Sequence, residues 1–165
     1  MDTPVGPFTA IVAHDGAVLA SGWTSRVDEL VARIGTGLAP DQLRSAAELG
    51  PVTEAVHAYH AGEVDAAARI PVRQRSGAFG EQVWSVLRDV PPGQPVTYTE
   101  LAAIAGRPTA VRAAASACAR NAAALFVPCH RVLRSGGSLG GFQWGLTVKR
   151  WLLDHERHPG ARGGR

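Results

Sequence analysis

Thr97-Tyr98-Thr99-Glu100-Leu101-Ala102-Ala103-Ile104-Ala105-Gly106-Arg107-Pro108-Thr109-Ala110-Val111-Arg112-Ala113-Ala114-Ala115-Ser116-Ala117-Cys118-Ala119-Arg120 is the stretch that decides the fold. Thr97 followed by Glu100 is a capping box, in which hydroxyl and carboxylate satisfy first-turn amides reciprocally. It predicts a helix over 98–105, closed by Gly106. Pro108 suits a first helical turn and opens a second helix over 109–120. Two short helices joined by Gly106-Arg107-Pro108 form a helix-turn-helix. The second helix is coated in methyl groups, and its long side chains are Arg112 and Arg120. It carries little with which to read major-groove base edges, but it can approach the narrower minor groove closely. A tightly packed core helix of alanines is the other reading these residues leave open.

Working outward, Phe79, Val83, Trp84, Leu87 and Val90 recur at helical spacing, with Ser76 as a candidate cap and Pro91-Pro92-Gly93 as the stop. Further upstream, residues 7–24 read as a hairpin turning at Asp15-Gly16. Short helices follow over 27–34 and 52–59, the second ended by Gly62, and Ile70-Pro71-Val72 reads as a short edge strand. Arg73-Gln74-Arg75-Ser76-Gly77 is a polar linker. Downstream, 125–132 reads as extended and buried, and 134–141 as a loop with four glycines. A final amphipathic helix spans 146–157. The expected organisation is an α/β structural domain over 1–75, a mainly helical domain over 76–157 and a disordered basic tail over 158–165.

The chain has 165 residues, 45% of them apolar and 19% charged, enough for one medium domain or two small ones with a real core. No stretch approaches the ~20 apolar residues of a membrane span, and the first residues lack the pattern of an export signal. With only two cysteines, a reducing compartment and a cytoplasmic location are expected. Charge is unevenly spread. Residues 1–75 carry six Arg against nine acids, net −3, while residues 76–165 carry eleven Lys or Arg against five acids, net +6. The C-terminal part is therefore expected to face a polyanion.

Chemistry concentrates in Val127-Pro128-Cys129-His130-Arg131, set between apolar runs. A thiol becomes a strong nucleophile only as the thiolate, which needs a base or a positive charge nearby. His130 is adjacent, but neighbours in an extended segment point to opposite faces, so a bridging water is the easier geometry. A histidine used as a base needs an acceptor on its other nitrogen, and Glu156 in the last helix is a candidate. On these residues alone, a buried structural Cys-His pair remains open. No metal site is expected, since there is no CxxC and the histidines lack zinc-ligand spacing. His57 and His60 read as helix-surface residues. The context of a papain-like hydrolase is absent.

Pro128-Cys129-His130-Arg131-Val132 resembles the active-site motif of the O6-alkylguanine-DNA alkyltransferases, the methylated-DNA–protein-cysteine methyltransferases. Phe79-Gly80-Glu81-Gln82-Val83-Trp84, Pro92-Gly93, Thr97-Tyr98, Leu101-Ala102, Gly106-Arg107-Pro108, Val111-Arg112-Ala113 and Asn121 follow that family's pattern in order. So do Gly145-Leu146, Lys149 and Trp151-Leu152-Leu153. The resemblance covers residues 76–156 almost without gaps, whereas residues 1–75 match only loosely, chiefly in Thr3-Pro4-Val5-Gly6-Pro7 and the hairpin.

The resemblance implies a mixed α/β (α+β) fold. A small ribonuclease-H-like N-terminal domain would be joined to a helical domain with a winged-helix-like helix-turn-helix. It implies a single-turnover repair protein that binds the minor groove of double-stranded DNA and flips out O6-alkylguanine, mainly O6-methylguanine. The alkyl group would pass irreversibly to Cys129. His130 would take the thiol proton through a water, Glu156 would hold the imidazole, Tyr98 would donate toward the leaving guanine and Asn121 would brace the active-site turn. Arg112 would fill the space of the flipped nucleotide, while Ala110, Val111, Ala113, Ala115 and Arg120 would meet DNA. Val132, Phe142, Gln143 and Trp144 would frame the base. No cofactor and no membrane partner are implied. The protein is expected as a monomer, with clustering on DNA left open, and near the nucleoid if the source is bacterial.

Two positions depart from the pattern. Ala122 stands where a proline is common, so the turn is expected to be less rigid. Trp144 stands where many members have a small residue, which predicts either a narrowed pocket mouth or a packing lid. The runner-up reading is a non-enzymatic alkyltransferase-like lesion binder. Those proteins replace the cysteine, so Cys129-His130 argues against it. A promoter-binding regulator would need more base-reading side chains over 109–120.

Overall fold

The computed structural model describes residues 1–159. The expectation for the tail therefore falls largely outside the described residues. The chain opens with a minimal antiparallel pair, β1 (Asp2–Thr3) and β2 (Gly6–Pro7), ahead of the hairpin expected over 7–24. The expected hairpin follows as β3 (Thr9–Val12) and β4 (Val18–Gly22). They pair antiparallel from Thr9 opposite Gly22 to Val12 opposite Val18, with an irregularity before Val12. The turn between them contains Gly16 at φ 89°, a conformation that glycine tolerates at no steric cost. Ile70-Pro71-Val72 contributes one parallel bridge, Val72 opposite Val18, and not a full edge strand.

Helix α1 (Val27–Val31) is shorter than predicted and runs out into turns near Ile34. Helix α2 (Pro51–Ala61) is longer, with Pro51 at its start and Gly62 closing it in the left-handed conformation. Next comes α3 (Ala78–Asp89), whose N-cap is Gly77. Ser76 does not cap it, and its backbone N–H instead donates to Glu81. The capping box is present as predicted. Thr97 accepts from Glu100 N, and Glu100 accepts from Thr97 N, where β5 (Val96–Thr97) gives way to α4 (Tyr98–Ile104). Helix α5 (Val111–Arg120) starts two residues later than expected, because Pro108-Thr109 forms a turn ahead of it.

One correction bears directly on the site. The segment 125–132 is buried but not extended throughout. Leu125 sits at φ 74°, and Cys129–Arg131 is a 3₁₀ turn feeding β6 (Val132–Leu133), which pairs parallel with β5. A left-handed leucine costs on the order of 1 kcal/mol, and the burial of its side chain offsets that cost. Helix α6 (Leu146–Arg157) closes the described fold with the predicted bounds.

The two halves of the chain share one apolar core. Phe8, Val18, Val56 and Tyr59 join Val83, Leu87, Leu101, Phe126, Val132 and Leu152 in a single cluster. Phe8 meets Phe126 edge-on at 6.3 Å between ring centroids. Backbone bonding crosses the halves as well. Ser21 N donates to Ala122 O, Ala124 N donates to Ser21 O, and the Ser21 hydroxyl donates to Ala124 O. Strand β4 thus anchors residues 122–124, the segment that leads into Cys129. No described helix is long and apolar enough to cross a membrane.

Candidate active site

Cys129 opens the 3₁₀ turn and is partly exposed. Burial pushes its thiol up, against the pull of the Asn121 hydrogen bond and of the Lys149 and Arg33 charges. The thiol therefore keeps its proton near neutrality and needs a base to lose it. Asn121, just past the end of α5, donates from Nδ2 to Cys129 Sγ at 3.2 Å and to Val127 O at 2.8 Å. Its Oδ1 accepts from Ala123 N and from Gln74 Nε2. The expected bracing residue is thus in contact with the sulfur itself.

His130 is fully buried, with Nε2 2.7 Å from Glu156 Oε1. Glu156 is an ionised acceptor, so the proton of the neutral imidazole belongs on Nε2 and Nδ1 is left as the basic nitrogen. Nδ1 is buried and makes no hydrogen bond among the described residues. Burial alone would raise the Glu156 carboxyl. The hydrogen bonds and electrostatic pull of His130 and Arg131 override it and hold the group well below the usual carboxylate range. Arg131 donates to both Glu156 oxygens, from Nε at 3.0 Å and Nη2 at 2.9 Å, and its Nη1 donates to Val90 O. Tyr59 in α2 donates to the same Oε1 at 2.8 Å. An unpaired buried carboxylate would cost several kcal/mol; this one is met by three residues, His130 and Arg131 of the 3₁₀ turn and Tyr59 of α2.

Lys149 in α6 is fully buried, and its Nζ donates to Val132 O at 2.7 Å and Gly141 O at 3.3 Å. It ties β6 to the glycine loop and places a cation near Cys129, although burial lowers its own pKa. Tyr98 lies at the start of α4, and burial first, then the Cys118 and Cys129 sulfurs, raise its phenol. A Cβ built on Gly140 would come within 3.4 Å of the Tyr98 hydroxyl, so the loop lies against it. On α5, Arg112, Ala113 and Arg120 are exposed, Ala110, Val111 and Ala115 are half-buried, and Ala114 and Ala117 face the core. Gln143 is exposed and Phe142 is half-buried against Trp23. Trp144 packs against the second apolar cluster, which contains Ala122, and a Cβ at Gly22 would run into its indole. It is therefore a lid that locks the glycine loop onto the hairpin.

Several residues here were not singled out from sequence. Nothing in residues 1–75 looked chemical, yet Tyr59 and Arg33 reach the site, as does Gln74 from the linker. Arg33 donates to Ala119 O at 2.7 Å, in the last turn of α5, and to Asn121 O at 3.0 Å, just past its end. Lys149 did carry a signal, as one of the positions at which the chain follows the family's pattern. His60, expected on a surface, is half-buried and stacks on Trp151. Among the described residues no group of His, Cys, Asp or Glu is arranged to hold a metal ion.

Comparison with known proteins matches this geometry. Residues 78–158 fit the model of the 6-O-methylguanine DNA methyltransferase, DNA binding domain. The bifunctional transcriptional activator/DNA repair enzyme Ada of Escherichia coli is 48% identical over 92 residues, 56% of this chain. The chain spans about a quarter (26%) of that protein's length. A methylated-DNA–protein-cysteine methyltransferase of Shigella flexneri is 31% identical over 156 residues, covering 93% of this chain and 91% of the relative. Mycobacterium tuberculosis OGT, solved in complex with DNA, superposes with a TM-score of 0.78 at 28% identity, covering 95% of this chain and 90% of that one. By its fold, by the match of residues 78–158 and by similarity over 93% of its length, the chain belongs to the methylated-DNA–protein-cysteine methyltransferase family.

Proposed function

We propose that the chain repairs alkylated DNA by accepting, once per molecule, the alkyl group of a flipped-out O6-alkylguanine on Cys129. The observation that carries this reading is the unpartnered Nδ1 of His130, left basic because Nε2 is committed to Glu156. A single water bridging Nδ1 and Sγ gives the thiol proton a route to the imidazole. Sulfur then attacks the alkyl carbon in line. The C–S bond forms, the C–O bond breaks, and the electron pair stays on guanine O6. Tyr98 donates its proton to the guanine, which leaves neutral, and recovers one from the imidazolium through solvent. The thioether product has no easy leaving group, so turnover stops.

DNA would be engaged through the minor groove by the exposed small face of α5, with Arg112 entering the space of the extruded nucleotide. Exposure of Arg112 and Ala113 supports this role. Binding as a monomer is the simplest arrangement, and the work would be done in the cytoplasm, near the nucleoid if the source is bacterial. The test is to incubate the protein with duplex DNA containing O6-methylguanine and measure intact mass. The expected result is a gain of one CH2 unit per chain, absent in Cys129→Ala. DNA binding without mass gain would favour the lesion-binding reading instead.

A further inference from the structure

We propose that Gln74 is a positioning residue for the alkyl-accepting thiol, holding Asn121 and Ala122 so that the Asn121 amide presents its N–H to Cys129 Sγ. This rests on the reading of Cys129 as acceptor and extends it to a residue outside the family's sequence pattern. Gln74 lies in the polar segment between the two halves of the chain. Its Oε1 accepts from Ala122 N at 2.8 Å, and its Nε2 donates to Asn121 Oδ1 at 2.8 Å.

The bonds form a relay of orientation. A side-chain amide can flip, exchanging its donor and acceptor ends. The backbone N–H of Ala122 is only a donor, so it fixes Gln74 with Oε1 toward Ala122. Nε2 must then point to Asn121 and select its oxygen. Asn121 Oδ1 also accepts from Ala123 N, and the amide nitrogen is left facing Val127 O and Cys129 Sγ. All four hydrogen-bonding positions of the Asn121 amide are used, and Asn121 is 4% exposed. Flipping it would set donor against donor at Ala123 and Gln74 and leave the sulfur facing an oxygen.

The same geometry gives Ala122 a purpose. A proline at 122 would stiffen the turn through its fixed φ but would carry no N–H. Here the N–H is present, and an interdomain glutamine uses it to stiffen the turn instead. Asn121 sits at φ −58°, ψ 116°, outside the α region that a following proline disfavours, so the preceding residue does not bar a proline at 122.

The test uses single-turnover alkylation of Cys129 by free O6-benzylguanine and by iodoacetamide across pH, read by peptide mass so that Cys118 is counted separately. With iodoacetamide a C–S bond forms, iodide leaves and the thiol proton passes to His130 or solvent. The groups facing the sulfur are Asn121 from the end of α5, Lys149 from α6 and Arg33 from beyond α1, with Tyr98 and Cys118 nearby. In Gln74→Ala the rate per folded molecule should fall roughly tenfold, the scale of one or two lost hydrogen bonds. The pH midpoint of the iodoacetamide reaction should also rise. Adding Ala122→Pro to Gln74→Ala should restore most of the rate.

Wild-type rate and pH midpoint in folded Gln74→Ala would overturn the proposal. So would a double variant as slow as the single one. Should Gln74→Ala fail to fold, Gln74→Glu keeps the acceptor for Ala122 and removes the donor to Asn121. It should be slow while folded, and a wild-type rate there refutes the role. Because iodoacetamide needs neither lesion nor DNA, wild type that reacts with it yet takes nothing from O6-methylguanine DNA would break the functional reading alone.

Discussion

The Tyr59 hydroxyl donates at 2.8 Å to the same Glu156 oxygen that accepts from His130, joining α2 to α6 across 97 positions of sequence. Burial, followed by the Glu156 charge, raises the phenol well above its ordinary value, so it stays a donor at any working pH. Tyr59→Phe should cost about 1–2 kcal/mol of stability, the scale of a buried hydrogen bond to a charged group. It should also slow thiol transfer modestly. Urea unfolding and single-turnover rates measure the two effects, and unchanged values of both would sink the assignment.

Glu156→Gln should be far more severe. It leaves the Arg131 charge buried without its carboxylate and frees His130 to take the wrong tautomer. A loss of about 3–5 kcal/mol is expected. The folded-state carboxyl is depressed, so its contribution is present above the unfolded pKa and is lost as pH falls toward the folded value. The stability gap between wild type and Glu156→Gln should therefore narrow on acidification below about pH 4.3. A gap independent of pH would contradict the pairing.

His60 makes a second pH prediction with a different window. Burial lowers its imidazole from 6.5 to about 4, and its buried Nε2 has no hydrogen-bond partner among the described residues. Between those values the unfolded chain binds more protons than the folded one, so stability drops as pH falls from 6.5 to about 4. His60→Leu should flatten that decline in thermal or urea melts. Parallel profiles for the two proteins would show that His60 is not responsible.

Arg112→Ala should slow repair of duplex DNA much more than reaction with the free base, because only the duplex requires extrusion. Equal slowing in the two assays would refute a role in flipping.

Trp144 caps the glycine loop against Gly22, so Gly22→Ala should destabilise the protein by forcing the indole away. Trp144→Gly should cost about 3–5 kcal/mol by the same logic of lost packing. If the lid also narrows the pocket, the folded fraction of Trp144→Gly should accept O6-benzylguanine faster than wild type does. Equal rates for that substrate would leave Trp144 as packing alone.

Local signals were legible wherever chemistry acts over a few residues. The capping box at Thr97, the turn at Asp15-Gly16 and the amphipathic run of α6 were all readable, because each is set by neighbours in sequence. Cys129, His130 and Glu156 were also readable, through motif and reactivity. What escaped was reach. Gln74 sits in a polar stretch that looks like a tether, and only its two amide contacts give it a role. Tyr59 continues the apolar face of α2 and so reads as core, and Arg33 carries no motif signal, since their partners lie in the other half of the chain. The 3₁₀ turn at Cys129 was missed because a run of apolar residues suits extended backbone as well as a buried turn.

The position of α6 after the cysteine has a consequence for biosynthesis. A ribosome makes Cys129 before it makes Lys149 and Glu156, so in a nascent chain His130, the proposed base, has no orienting partner, and Arg33 precedes the second cation near the thiol. The proposed proton relay is therefore incomplete while the chain is being made. It is assembled when the last described helix docks, which is also when the core around it closes.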